Sequence, residues 1–151
     1  MGDIRRSRRR ILCYNAVMPL FFAYGAALSR KYMAERCPDC RPKVSATLSQ
    51  YQLVFTGWSR VFHGGTASLK PLRGARVNGG VYDVPDAALK KLDAAEGFPA
   101  QNVKQNVVVN TETGESLSCF TYVPAHQAEE TKPAPEYLTL LQQGYRDWGL
   151  I

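Results

Sequence analysis

The chain has 151 residues, the size of one ordinary domain. Its 45% hydrophobic and 21% charged content excludes a chain disordered throughout, and at this length a core needs neither metal nor disulfide to hold it. The formal net charge of +6 invites a nucleic-acid or membrane partner only until the charge is located.

Five arginines (Arg5, Arg6, Arg8, Arg9, Arg10) fall in the first ten positions, against Asp3 alone. Residues 1–17 therefore carry +4, and residues 18–151, with 14 basic and 12 acidic side chains, carry +2. The expected organisation is a basic tail over residues 1–17 and one domain over residues 18–151. The tail reads as a solvated end without function, or as translation from upstream of a natural start at Met18-Pro19. Two sharper readings stay open: a nucleic-acid-binding arm, and a twin-arginine export signal in Ser7-Arg8-Arg9-Arg10-Ile11-Leu12. Against export, Asn15 and Pro19 interrupt the apolar stretch and no small-x-small cleavage site follows.

Leu20–Tyr24 is expected to be the first strand, and Ser29–Arg36 a short helix stopped by Pro38. Val44–Leu48, Tyr51–Thr56 and Thr66–Leu69 read as short strands, and Arg73-Gly74 as a turn. Val77–Val84 is a strand whose Gly79 and Gly80 signal a bulge or a close backbone approach. Pro85-Asp86 opens a helix with Ala88, Leu89, Leu92 and Ala95 on one face, closed by Gly97 as a left-handed cap. Val103–Asn110 and Glu115–Val123 form a hairpin across Thr111–Gly114, and Ala125–Ala134 is a polar loop. Glu136–Asp147 closes the chain as an amphipathic helix expected to turn Leu138, Leu141 and Tyr145 inward. Many short strands with a few separated helices give an α+β fold, with a mostly antiparallel sheet curling into a small barrel.

Metal, phosphate and nucleophile chemistries fail on residue type. Cys37-Pro38-Asp39-Cys40 is a lone C-x-x-C with only His63 and His126 to supplement it, short of a tetrahedral zinc set, and it follows a helix where a redox motif would open one. Cysteines left reduced suit a cytoplasmic protein. No apolar run reaches the ~18 residues that span a bilayer, so no membrane partner is expected. Gly74 and Gly79 have phosphate-loop spacing, but Gly80-Val81 stands where Lys and Ser/Thr are needed. His63-Gly64-Gly65 has no G-x-S-x-G elbow to accompany it. What remains is a reaction needing no cofactor and no metal, or no reaction. Glu96 is the carboxylate to single out: in the last turn of its helix, the negative end of the macrodipole opposes its charge and raises its pKa toward general acid/base range. An exposed last-turn glutamate without a role satisfies the same placement.

Several segments, in order, resemble the gamma-glutamylcyclotransferase-like family, which includes AIG2-like proteins and gamma-glutamylamine cyclotransferases. Phe22-Ala23-Tyr24-Gly25-Ala26-Ala27-Leu28 resembles its F-A-Y-G-S-N-L/M signature. His63-Gly64-Gly65-Thr66-Ala67, Val77–Tyr82 and Leu92-Asp93-Ala94-Ala95-Glu96-Gly97 resemble its H-G-G-x-A, V-x-G-x-V-Y/W and L-D-x-x-E-G segments. Pro133–Tyr137, Gly144 and Gly149-Leu150 are similar to its ending. The resemblance runs from Met18 to the C-terminus.

It implies a small mixed, mostly antiparallel β-barrel with flanking helices. It also implies intramolecular aminolysis of a γ-glutamyl amine or dipeptide, releasing 5-oxoproline, with a place in glutathione metabolism and transferase or lyase classification. On that resemblance Glu96 is the catalytic acid/base, while Phe22, Ala23, Tyr24, Gly25, Ala26, Ala27, Leu28 and Tyr137 bind substrate. The partner is a small γ-glutamyl molecule, not nucleic acid, and the protein is a monomer or homodimer. Two positions depart from the pattern. Ala26-Ala27 replaces Ser-Asn, and Asn102 or Val103 replaces a tyrosine that follows the E-G pair. The alternative reading is a catalytically inactive binding or interaction protein that retains the fold.

Overall fold

The computed structural model describes residues 19–151; the basic tail, Cys13 and the start at Met18 lie outside the described residues. Five strands run in the order β1 (Leu20–Ala23), β2 (Arg41–Ser59), β3 (Gly64–Asp83), β4 (Asn102–Asn110) and β5 (Ser116–Pro124). The helices are α1 (Arg30–Arg36), α2 (Leu89–Ala95) and α3 (Pro135–Asp147), with single 3₁₀ turns at Ala26–Leu28 and Asp86–Ala88. The strands close in the order β1-β3-β2-β4-β5, antiparallel except where Phe21 of β1 meets Phe120 of β5 in parallel. Closure removes the exposed sheet edges that would otherwise invite pairing with another chain. The mixed barrel with flanking helices expected from the sequence is the observed fold.

Its main spine differs from the segmented reading. The expected strands at Val44–Leu48 and Tyr51–Thr56 are one continuous β2, and Thr66–Leu69 and Val77–Val84 belong to one β3 ending at Asp83. The Arg73-Gly74 turn is no chain reversal: β2 and β3 stay paired on both sides of it, Ser49 with Arg76 and Tyr51 with Pro71. A bulge absorbs the surplus. Gln50 takes φ +70° and Gly74 takes φ +83°, and the Gly74 N–H donates to the Gln50 amide oxygen at 2.9 Å. The turn residues are real, but they bend a ladder instead of ending one.

Both faces of the short β1 are buried, and its alternating side chains serve two cores. Phe22 of β1 and Tyr24 just beyond it join Leu48, Val81, Val107 and Val109 of the other strands in a cluster that fills the barrel. Phe21 and Ala23 join Leu28, Met33, Leu92, Tyr122 and Trp148 in a second cluster, between barrel and helices. Gly79 and Gly80 are close approaches, as expected: a Cβ on Gly80 would overlap the Trp148 ring, and one on Gly79 would lie 2.7 Å from that of Phe22. In α3, Leu141 is buried and Tyr145 packs against the core as expected, and Leu138 alone is corrected. Tyr137, Leu141 and Gly144 are buried, whereas Leu138 is 39% exposed. Starting at Pro135 rather than Glu136, the helix turns Tyr137 toward β3, where its phenol finds a backbone partner.

Candidate functional site

A cavity of about 620 Å³ opens where β1, α1, the β2–β3 tip, α2 and α3 converge. One wall is the Tyr24–Ala27 loop. Leu28 and Ser29 donate backbone hydrogen bonds to the Gly25 and Ala26 carbonyls, giving a 3₁₀ turn whose opening N–H groups have no partner within the turn. Buried side-chain hydrogen bonds tie this loop to distant elements. The Tyr24 hydroxyl donates to the Tyr122 carbonyl at 2.6 Å, Tyr82 to Ala27 at 2.7 Å, and the Trp148 indole to Leu28 at 2.8 Å. On α3, Gly144 lets the helix approach, since a Cβ there would lie 2.9 Å from the Leu28 carbonyl carbon. Tyr24, Gly25, Ala26 and Ala27 line the cavity. Phe22, Ala23 and Leu28 do not: they are buried in the two cores and anchor the ends of the loop.

Glu96 enters from the C-terminus of α2. Leu92 is fully buried one turn earlier, Asp93 accepts a hydrogen bond from the Tyr122 hydroxyl, and Lys104 pairs with the same carboxylate at 3.1 Å. Leucine and aspartate thus fix the helix on the barrel, and the glutamate three residues on reaches the cavity. The helix then stops in a Schellman motif. Phe98 N–H bonds the Asp93 carbonyl and Gly97 N–H the Ala94 carbonyl, with Gly97 at φ +71° as expected. Asn102 lines the cavity and its amide donates to the Glu96 main-chain carbonyl, so a group on β4 fixes the backbone beneath the carboxylate. Ala95, expected on the buried face of α2, is exposed beside Glu96 at the cavity rim.

Burial pushes the Glu96 carboxyl up to about 7, and the nearby Arg36 guanidinium offsets part of that rise. The dominant cause is desolvation, where the sequence argument relied on the helix dipole. The phenols around it respond in the same direction. Tyr137 is raised to about 12, and Tyr24, Tyr32 and Tyr122 also move up, chiefly through burial. All four stay protonated near neutrality, and Tyr24 and Tyr122 donate to the Tyr122 carbonyl and the Asp93 carboxylate. Glu96, unlike these phenols, changes charge near pH 7. Tyr137 accepts the Ala67 N–H at 2.8 Å, with Phe62 packed 4.7 Å from its ring, and retains its own proton for donation.

The sequence pattern of a family described as gamma-glutamyl cyclotransferase, AIG2-like, matches residues 21–146. The chain belongs to that family. Gamma-glutamylcyclotransferases of Homo sapiens and Bos taurus are each 29% identical to it over 136 residues, covering 87% of this chain and 72% of theirs. A solved structure of a gamma-glutamyl cyclotransferase superposes with a TM-score of 0.83 at 28% identity, covering 87% of this chain and 80% of the other.

Within this gamma-glutamyl cyclotransferase fold, Tyr24–Ala27, Glu96 and Tyr137 converge on one cavity. Other lining residues carried no sequence signal. Tyr32, Arg36, Trp58, Arg60, Phe62 and Gln101 also line it, from α1, the β2–β3 tip and the segment before β4. The spacing of Tyr32 and Arg36, one helical turn apart, is the one available clue: the guanidinium stacks 3.6 Å from the Tyr32 ring centroid. Among the described residues no group of three or more His, Cys, Asp or Glu is placed to hold a metal, and no helix is long and apolar enough to cross a membrane.

Proposed function

We propose that this protein catalyses intramolecular aminolysis of a γ-glutamyl compound, with Glu96 as the acid/base. The observation that carries the reading is the carboxyl of Glu96 itself: enclosed in the cavity, held near pKa 7, and facing the same space as the Tyr24–Ala27 loop and the Tyr137 phenol. The substrate's α-nitrogen attacks its own γ-carbonyl carbon, closing a five-membered ring. Proximity within one molecule supplies much of the rate, and no protein nucleophile is required. Ionised Glu96 removes a proton from the α-ammonium, leaving the amine free to attack. As the γ-carbon–nitrogen bond of the amide breaks, the protonated carboxyl returns that proton to the departing nitrogen, and the ring nitrogen gives up its second proton through the re-ionised carboxylate to the released amine, which departs as an ammonium. The products are 5-oxoproline and a free amine or amino acid, and Glu96 ends ionised as it began.

The opening N–H groups of the Ala26–Leu28 turn and the Tyr137 hydroxyl are the donors offered to the glutamyl end, where negative charge builds on the attacked carbonyl oxygen. Ala26 and Ala27 remove two side-chain donors from this wall, but the loop backbone keeps its fastening from Tyr24, Tyr82 and Trp148. The test is release of 5-oxoproline from a panel of γ-glutamyl amines and dipeptides, with Glu96→Gln beside wild type. Product from wild type and a loss of about 10²–10⁴ in the variant are expected. Product from neither, across the panel, would favour a binding protein that retains the fold.

A further inference from the structure

One motif of the sequence plays no part in the chemistry at Glu96. Cys37-Pro38-Asp39-Cys40 links α1 to β2, and among the described residues no third ligand joins it to make a metal set. The chain reverses there in a single turn. The Cys40 N–H donates to the Cys37 carbonyl at 3.1 Å, which keeps the two Cα atoms within the about 7 Å that defines a β-turn. A disulfide spans separations in that range. Cys37 and Cys40 are buried in the core between barrel and helices, whereas Pro38 and Asp39 are exposed. Their sulfurs lie 2.7 Å apart, one thiol hydrogen-bonded to the other, while Cys119 belongs to the other core.

The helix that ends at this pair is short. Seven residues are too few to hold α1 by its own backbone bonds. Its first turn is fastened from outside: the Tyr32 N–H donates to the Ser29 hydroxyl and the Arg30 N–H to the Asp147 carboxylate. At the last turn, the Cys37 thiol reaches the Ala88 carbonyl only at a long 3.8 Å. Arg36, which precedes it, lines the cavity together with Tyr32.

We propose that Cys37 and Cys40 are a redox modification site, at which a small-molecule disulfide oxidises the pair to an intramolecular disulfide that clamps the last turn of α1 to the start of β2. Two exchanges balance the step. The Cys40 sulfur releases its proton to solvent, attacks one sulfur of the oxidant and expels a thiolate, which takes up a proton. The Cys37 sulfur then loses its proton, attacks the Cys40 sulfur of the mixed disulfide and expels the second thiolate. The protein gives up two electrons and two protons, and the oxidant leaves as two thiols.

The surroundings set the character of the site. Burial pushes the Cys40 thiol up, with Cys37 and Asp39 adding to the rise, and the helix end beside the pair presents carbonyls where an oxidoreductase motif meets N–H groups. Thiolate is scarce at neutral pH, so exchange is slow. Equally, no stabilised thiolate favours the reduced form, as it does in strongly oxidising pairs, and the disulfide once formed is held. None of this depends on turnover at Glu96.

The test treats the full-length reduced protein with hydroxyethyl disulfide at about pH 7 and about pH 9, maps the linked peptides by mass, and follows hydrogen exchange of the α1 amides at one pH. The expected product has lost two hydrogens, maps to Cys37–Cys40, forms about tenfold or more faster at the higher pH, and returns to the dithiol in 2-mercaptoethanol. In the oxidised protein the Cys37 and Cys40 amides should exchange about fivefold or more slowly, because the bond restricts the opened turn. Cys40→Ala should lose the oxidant dependence, and wild type, oxidised against reduced, carries the comparison by itself if that variant folds poorly. A mixed disulfide that persists on Cys40, a bond mapped to Cys13 or Cys119, or no oxidation where free cysteine is fully converted overturns the site. A Cys37–Cys40 bond that leaves exchange in α1 unchanged overturns the clamp.

Discussion

Two parts of the cavity wall are built in opposite ways. The Tyr24–Leu28 loop is tied by buried hydrogen bonds from β3, from β5 and from the residue after α3, and its flanking side chains disappear into two cores. The β2–β3 tip holds its shape through local bonds, His63 N–H to the Ser59 carbonyl at 2.7 Å and Phe62 N–H to the Ser59 hydroxyl at 3.1 Å, and turns Trp58 and Val61 to solvent. The first construction holds a backbone in one place, and the second leaves side chains exposed. Mutation should separate them: stability should depend on the loop, and hardly on the tip.

The largest effect is expected where a side chain is forced against the loop. Gly144→Val sets branched carbons on the Leu28 backbone and should cost about 3 kcal/mol or more by urea denaturation, as an overpacked contact between backbone elements. A variant as stable as wild type would show that α3 does not fasten the loop. Next comes the Glu96 carboxyl. Because Glu96 is raised from an ordinary 4.5 to about 7, the folded protein holds this proton more tightly than the unfolded chain does. The ionised residue therefore weakens the fold increasingly as pH climbs from about 4.5 to 7. Glu96→Gln should stabilise the protein by about 2 kcal/mol at pH 8, allowing for the residue's partial exposure, and by nothing measurable below pH 4. Thermal melts across that range check the sign, since a variant less stable at pH 8 contradicts burial as the cause.

A smaller loss is expected from Tyr82→Phe, which leaves the Ala27 carbonyl without its donor in a buried setting, at about 1–2 kcal/mol. The smallest is Trp58→Ala, within about 0.5 kcal/mol in stability, because the indole is mostly exposed and its removal opens no cavity. A large loss there would mean that the tip is structural after all.

How much of this was legible in the sequence follows from how local each feature is. The α2 termination was readable because Gly97 and its neighbours form a contiguous motif whose left-handed residue needs glycine. Glu96 stood out through that same segment. The continuity of β2 and β3 was hidden because Gln50 and Gly74 carry genuine turn conformations, and only pairing with the opposite strand reveals them as one bulge. Leu138 was misassigned for a similar reason. The periodicity of α3 allows Leu138 or Tyr137 inward, and a nonlocal bond from Ala67 to Tyr137 selects the second. The wall formed by Tyr32, Arg36, Trp58 and Arg60 was legible only in the helical spacing of the first pair, since the four line one cavity only when α1 and the strand tip are brought together. Desolvation of Glu96 belongs with these: it is a property of the enclosed site and has no sequence signature.

The central claim is that one enclosed carboxyl moves the proton in both halves of the reaction. The most direct measurement is the pH dependence of kcat/KM for 5-oxoproline release from a γ-glutamyl dipeptide, in wild type and in Glu96→Gln. Wild type should gain activity as pH rises through about 7, where Glu96 ionises and becomes able to accept the α-ammonium proton, and the variant should be slower by about 10²–10⁴ with that limb gone. An unchanged rate in Glu96→Gln, or the same limb persisting in it, would contradict the account.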